Sequence, residues 1–267
     1  MVDNIIDRFR LTGKKAFVTG ATGLIGYHTA RGFAQAGADV AIVDLPMNLE
    51  KAQKIADELH AEYGVKTLAV GADVTDEDSV NEMVEYIAKE FGTIDIVHNN
   101  AGIGGSPIPD VDLDYKFWKR VIDVNLGGVF LVARAAARIM IRDGHGGSII
   151  NTASMCAQIV NQAPAGVTFD NSAYSVSKAG VLHFTRHFAT QVIKYGIRVN
   201  SLSPGYVLST LHDGMPKEVL EFFANSSPAL RTGEVEEMVG AVVYLASDAS
   251  TFCVGTDIVV DGGHVCW

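Results

Sequence analysis

Seven short apolar runs recur along the chain: Lys15–Thr19, Asp39–Val43, Val65–Val70, Ile94–His98, Ser148–Asn151, Ile197–Leu202 and Ile258–Val260. They are rich in β-branched residues and do not alternate apolar with polar, the pattern of strands buried on both faces. Between them the period changes. Val80, Met83, Val84, Ile87, Ala88 and Phe91 recur at steps of three and four, one apolar stripe of a helix, with Asp76 placed to cap it. Leu49–Tyr63, Tyr115–Arg142, Ala173–Tyr195 and Val235–Ala246 also read as helices. Strand and helix in alternation predict an α/β fold: a doubly wound, seven-stranded parallel sheet with helices on both faces. No linker, repeat or low-complexity run divides residues 1–267, so a single domain is expected. The least regular stretches, Gly104–Asp114, Ala157–Asn171 and Ser203–Asn225, follow the fourth, fifth and sixth strands. They fall at the edge of an open α/β sheet where ligands bind.

Composition narrows the partners. A formal net charge of -10 disfavours a nucleic-acid backbone, which needs clustered Lys and Arg. Cys156, Cys253 and Cys266 are odd in number and scattered, with no CxxC pair, which argues against a disulfide framework and against a zinc site. Free thiols suit a reducing compartment. Met1–Arg10 holds no apolar core of signal-peptide length, and no apolar run approaches the roughly 18 residues of a membrane span. A cytoplasmic protein that uses neither membrane nor metal is the expectation.

The first strand runs into Thr19-Gly20-Ala21-Thr22-Gly23-Leu24-Ile25-Gly26. Glycines in such a turn let the backbone approach a pyrophosphate, and the helix that follows aims its free N–H groups at it. Gly20, Thr22, Gly23, Leu24, Ile25 and Gly26 are therefore candidate cofactor contacts on a Rossmann-type sheet. Asp44, at the end of the second strand and followed by Leu45, can accept hydrogen bonds from both adenosine ribose hydroxyls and would repel a 2′-phosphate. No Lys or Arg follows it before Lys51, which favours NAD over NADP. Asp73, next to Val74 at the end of the third strand, can bind the adenine amino group. A turn or cap role is the alternative for both acids.

Tyr174 and Lys178 lie four apart on a helical stretch, which stacks them on one face. A free tyrosine has a pKa of about 10, and a neighbouring ammonium stabilises its phenolate. The pair is a sensible general acid and base for alcohol–ketone interconversion. YxxxK alone occurs by chance in many helices. Here it stands in order with Thr19–Gly26, Asp73-Val74, Asn99-Asn100-Ala101-Gly102, Asn125, Ser154, Arg198-Val199-Asn200, Ser203-Pro204-Gly205 and Asp261-Gly262-Gly263. From about Leu11 to Gly263 the chain resembles the short-chain dehydrogenase/reductase family.

That resemblance implies roles. Tyr174 exchanges a proton with the substrate oxygen, Ser154 orients that oxygen, and Lys178 binds the nicotinamide ribose. Asn125 helps to hold a water linking Lys178 to solvent. Asn100, Ala101 and Gly102 shape the adenine-side wall, and Pro204, Gly205 and Val207 flank the nicotinamide. Ser209 stands where the family often has a Thr that contacts the nicotinamide amide. The glycine spacing, GxxGxxG, is more typical of the extended, epimerase-like branch, although chain length and Asn99–Gly102 favour the shorter one. His98 replaces a usual apolar strand residue and reads as a satisfied core histidine. His183 and His187 read as surface or interface residues, because no third metal ligand accompanies them. The family is usually tetrameric, and the apolar Val265-Cys266-Trp267 could dock at such an interface.

The segment after Ser154 and the long gap to Tyr174 resemble polyol dehydrogenases and ketose reductases. Gln158, Asn161, Gln162, Asp170 and Asn171 offer polar partners for a polyhydroxylated substrate. Cys156, Gln158, Asn161 and Tyr206 are the candidate substrate residues. The expected function is NAD-dependent interconversion of a polyol and its ketose, and the resemblance implies a homotetramer. The alternatives are reduction of another ketone, such as a hydroxysteroid or 3-oxoacyl thioester, and sugar-nucleotide epimerisation or dehydration.

Overall fold

The computed structural model describes residues 4–161, 172–208 and 217–266. Seven strands form one sheet: β1 (Lys15–Thr19), β2 (Asp39–Asp44), β3 (Thr67–Gly71), β4 (Ile96–Asn99), β5 (Gly147–Thr152), β6 (Ile197–Pro204) and β7 (Asp257–Val260). Their order is β3-β2-β1-β4-β5-β6-β7, and every neighbouring pair is parallel. The chain winds outward from β1 in one direction and from β4 in the other. The switch point between those two strands opens a crevice at their C-terminal ends.

The helices are α1 (Leu24–Gln35), α2 (Leu49–Tyr63), α3 (Glu77–Phe91), α4 (Tyr115–Ile122), α5 (Gly128–Asp143), α6 (Ser172–Val192), α7 (Lys217–Asn225) and α8 (Glu236–Ala246). Successive strand residues face opposite layers, which splits the core in two. Phe17, Val97, Ile149 and Val199 pack with α3, α5 and α6, whereas Val18, Ile96, Ile150 and Leu202 pack with α1, α2 and α8. The apolar strands are buried on both sides for this reason. α3 buries the six residues of its predicted stripe, and its cap Asp76 accepts the Ser79 N–H at 2.9 Å.

Two departures from the sequence reading bear on the site. The stretch Ser203–Asn225, expected to be irregular, contains α7, whose Val219 and Phe223 are buried. The helix expected over Tyr115–Arg142 is continuous to Asp143, but a π turn at Asp123–Gly127 divides it. That turn buries Asn125 completely. The whole helix is apolar enough by composition to cross a membrane, yet 56% of its most apolar window is buried inside the fold.

Candidate active site

β1 gives way to a turn at Gly20, whose φ of +63° is left-handed and whose Cβ, if present, would lie 2.8 Å from the Ala101 Cα. Glycine alone fits that close approach. At Gly26 a Cβ would collide with the Gly20 carbonyl oxygen, so this third glycine packs the start of α1 beneath the turn. The Thr19 hydroxyl accepts the Asn100 and Ala101 N–H groups, each at 3.1 Å, and the Asn100 amide donates to the Thr19 and Gly20 carbonyls, each at 3.2 Å. The turn is thereby stitched to the loop after β4. α1 then opens at the cavity with Gly23 at its cap and no side chain bonded to its first N–H groups. Those donors suit an anion such as a pyrophosphate.

Asp44 closes the same end. Burial opposes its ionisation, but hydrogen bonds from the Asn48 amide (2.8 Å), the Thr22 N–H (3.0 Å), the Leu45 N–H (2.8 Å) and the Thr22 hydroxyl (2.9 Å) outweigh burial and hold its carboxyl below the usual range. From Asp44 a cavity of about 1060 Å³ runs past Asn100–Gly102 to Ser154, Tyr174, Asn161 and Tyr206. The uncapped helix, the crowded glycine turn and the fixed acid together fit a dinucleotide.

At the far end, α6 carries Tyr174 and Lys178. The Lys178 ammonium is buried, donates to the Thr152 carbonyl at 2.7 Å and lies 5.7 Å from the centre of the Tyr174 ring. Burial pushes its pKa down to about 8, with the nearby Cys156 thiol acting in the opposite direction. The Ser154 oxygen accepts the Cys156 N–H at 3.2 Å, which orients the hydroxyl to donate its own proton elsewhere. The π turn sends Asn125 inward behind this group. Its amide oxygen accepts the Ile103 N–H at 2.8 Å, and its nitrogen donates to the Ile103 carbonyl (3.0 Å) and the Ser177 hydroxyl (3.1 Å). One side chain thus ties the loop after β4 to α6.

Comparison with known proteins agrees with this arrangement. The sequence pattern of the family described as "Enoyl-(Acyl carrier protein) reductase" matches residues 20–264. A sorbose reductase of Candida albicans is 40% identical, over 98% of this chain and 91% of its own length. A probable NADP-dependent mannitol dehydrogenase of Yarrowia lipolytica is 39% identical, with 98% and 91% covered. A solved short-chain type dehydrogenase/reductase from Mycobacterium marinum matches at a TM-score of 0.92 and 41% identity, covering 99% of this chain and 100% of that one. The chain belongs to the short-chain dehydrogenase/reductase family. It is an oxidoreductase of alcohol and ketone groups that works with a nicotinamide cofactor.

Within this short-chain dehydrogenase/reductase, the described cofactor, catalytic and substrate candidates all line the cavity except Gly26, Asn125 and Gln158. Gly26 lies under the turn and Asn125 behind Lys178, both in supporting positions. Gln158 is a correction: it is exposed, and its amide donates to the Asp257 carboxylate at 2.8 Å, an acid that also accepts from the Ser201 and Ser203 hydroxyls. A carboxylate on β7 outcompetes the cavity for it. Asp73 lines the cavity and is also a turn residue, accepting the Thr75 N–H (2.9 Å) and hydroxyl (2.7 Å). Ser209, Gln162, Asp170, Asn171 and Trp267 lie outside the described residues. His183 and His187 are exposed, and among the described residues no three of His, Cys, Asp and Glu converge as metal ligands would.

His98 is only half satisfied. Its Nε2 meets the Thr152 hydroxyl at 2.9 Å, while its Nδ1 has no partner among the described residues. Burial first, and the Lys178 charge second, push its pKa down to about 3. Sequence reasoning missed Thr152 itself, whose carbonyl holds Lys178. A backbone oxygen has no side-chain signature, so nothing in the sequence marks it.

Proposed function

We propose that this enzyme interconverts a polyol and its ketose with NAD(H), Tyr174 serving as the acid and base. The observation that carries the reading is the single cavity joining the Asp44 end to the Ser154–Tyr174–Lys178 end. When bound, the nicotinamide supplies or accepts the hydride. In ketone reduction the Tyr174 hydroxyl gives its proton to the substrate oxygen. Ser154 donates a hydrogen bond to that same oxygen and fixes its position. Lys178, with a pKa of about 8, is mostly an ammonium at neutral pH and stabilises the phenolate left on Tyr174. Asn125 holds the loop and α6 together while this happens. The reverse sequence removes the alcohol proton in oxidation.

The substrate reading is supported by the names of the two relatives and by the far wall, where the Tyr206 hydroxyl reaches the Asn161 amide oxygen at 3.4 Å. Polar groups there can partner buried substrate hydroxyls. The cofactor reading departs from the Yarrowia lipolytica relative, whose name specifies NADP. Asp44 supports NAD, because its held negative charge would face a 2′-phosphate. The cationic residues lining the cavity, Lys116, Lys119, Arg120 and Lys178, come from α4 and α6, not from the glycine turn or the end of β2. A homotetramer in the cytoplasm completes the proposal. The exposed Phe130 on α5 and Val176 on α6 support self-association, and light scattering measures it.

The test is turnover of a panel of polyols and ketoses with NADH and NADPH in parallel. The expected kcat/KM favours NADH by more than about tenfold, since one misplaced charge is worth that much. A preference for NADPH sinks the Asp44 argument. Turnover of other ketones but no sugar removes the polyol and leaves the hydride chemistry standing.

A further inference from the structure

α6 must start at a fixed height, because Tyr174 lies in its first turn and has to meet the substrate oxygen. The first N–H groups of any helix lack partners within the helix. Here one is satisfied from far away in sequence. The Ser172 N–H donates to both carboxylate oxygens of Asp110, at 3.0 and 3.3 Å, and the Ser172 hydroxyl donates to the nearer oxygen at 3.0 Å. Ser172 is the first residue of α6, two before Tyr174. Asp110 opens a short 3₁₀ turn, Asp110–Asp112, in the loop between β4 and α4. The same loop lines the cavity through Ile103, Gly104, Gly105 and Pro107.

We propose that Asp110 is a positioning residue: its carboxylate latches the cavity-lining loop to the first turn of α6 and so holds Tyr174 in register with Lys178 and Ser154. Three hydrogen bonds converge on one carboxylate, and a negative charge at a helix N-terminus is favourable. Asn125 makes a parallel tie deeper down, from Ile103 to Ser177. The loop is therefore fastened to α6 at two heights, one buried and one exposed to solvent. Loss of the outer tie leaves the fold and the cofactor end intact, since Asp110 contacts neither the glycine turn nor Asp44. It loosens only the turn that bears the proton donor. Reacting groups displaced by a fraction of an ångström lose rate steeply.

The inference rests on Tyr174 being the acid and base, and its test includes a measurement that needs no substrate. Wild type, Asp110→Ala and Asp110→Asn are compared. Asparagine keeps an acceptor oxygen but not the charge, so the two variants separate the latch from electrostatics. Expected for Asp110→Ala are a kcat lower by roughly tenfold, faster amide hydrogen exchange confined to the first turn of α6, and an NADH Kd within about twofold of wild type. Asp110→Asn restores most of the rate and the protection. The ionisation of Tyr174, read as the ultraviolet difference between each protein and its Tyr174→Phe counterpart, is expected at higher pH in Asp110→Ala than in Asp110→Asn, because a loosened turn withdraws the phenol from Lys178. Equal ionisation in the two variants overturns the proposal even if no sugar is turned over. So does a kcat for Asp110→Ala that matches Asp110→Asn, or exchange that rises throughout the protein together with a weakened NADH Kd.

Discussion

At the floor of the cavity, Asn99 donates to Asn151 at 2.8 Å and Asn151 to Thr185 at 2.9 Å, so β4, β5 and α6 share one buried chain of polar groups. At the rim, Tyr206 reaches Asn161 only at 3.4 Å, and Val160 beside it stands 83% exposed. The floor is strand and helix, and its polar side chains are fixed by partners they cannot exchange for water. The rim is loop, and Tyr206 is seated by aromatic packing, stacked on Phe223 at 4.1 Å and edge-on to His264 at 5.4 Å. Buried networks of this kind are rigid and costly to disturb, whereas loops on a rigid scaffold tolerate change. The difference separates two tasks. On the proposed reading, the floor sets the chemistry common to alcohols and ketones, and the rim selects among them.

The largest effect is expected at the floor. Tyr174→Phe removes the proposed proton donor and is expected to lower kcat by about 10²–10⁴, while NADH binding, measured by fluorescence titration, stays close to wild type. Unchanged turnover would exclude Tyr174 as the acid and base. A pH series comes next. Lys178 carries a folded pKa of about 8, below its unfolded value. Ketone reduction should therefore decline as pH rises through 8, because the ammonium is lost. Stability should move the other way: above that pH the unfolded chain holds the proton that the folded chain has released, so this group's contribution to stability increases with pH. Rate and denaturation profiles that fall together would contradict the burial of this charge.

A smaller effect is expected at His98, the buried residue whose ring meets the Thr152 hydroxyl. Its folded pKa of about 3 lies below the ordinary histidine value. Acidification from near neutrality should then cost stability by at most about 1.4 kcal/mol per pH unit. His98→Leu should show a shallower acid loss in urea denaturation, with its kcat–pH profile unmoved. An identical acid slope in the variant would show that His98 is not held neutral. The smallest change belongs to the rim. Tyr206→Phe should raise KM for a ketose by roughly threefold, the worth of one hydrogen bond between neutral groups, and leave kcat alone. A fall in kcat instead would move Tyr206 from selection into the chemistry.

The floor was also the more legible region. Apolar runs without alternation announce doubly buried strands, and the Thr19–Gly26, Asn99–Gly102 and Tyr174–Lys178 motifs are short because each sits on one turn or one helix face. What escaped was whatever depends on distant pairing. Gln158 looked like a substrate contact because its amide, in the segment after Ser154, offers a polar partner for a polyhydroxylated substrate, and only the fold reveals Asp257 within reach. α7 went unseen because its residues follow a polar, Gly- and Pro-bearing stretch, while the aromatic stack that seats Phe223 is tertiary. His98 was read as a satisfied histidine, but a strand position supplies a partner on one side of its ring and not the other.

The π turn at Asp123–Gly127 also has a meaning for the helix as a whole. An α-helix rotates by about 100° per residue, so one residue taken up in a wider turn resets the angular phase of everything beyond it. α4 packs against α6, whereas α5 presents its apolar face to the sheet and to α3. A strictly α-helical path of the same length would point one of those two faces the wrong way. The widened turn acts as a clutch between two helical screws: each half keeps the phase its own neighbours demand, and Asn125 sits where the two are joined.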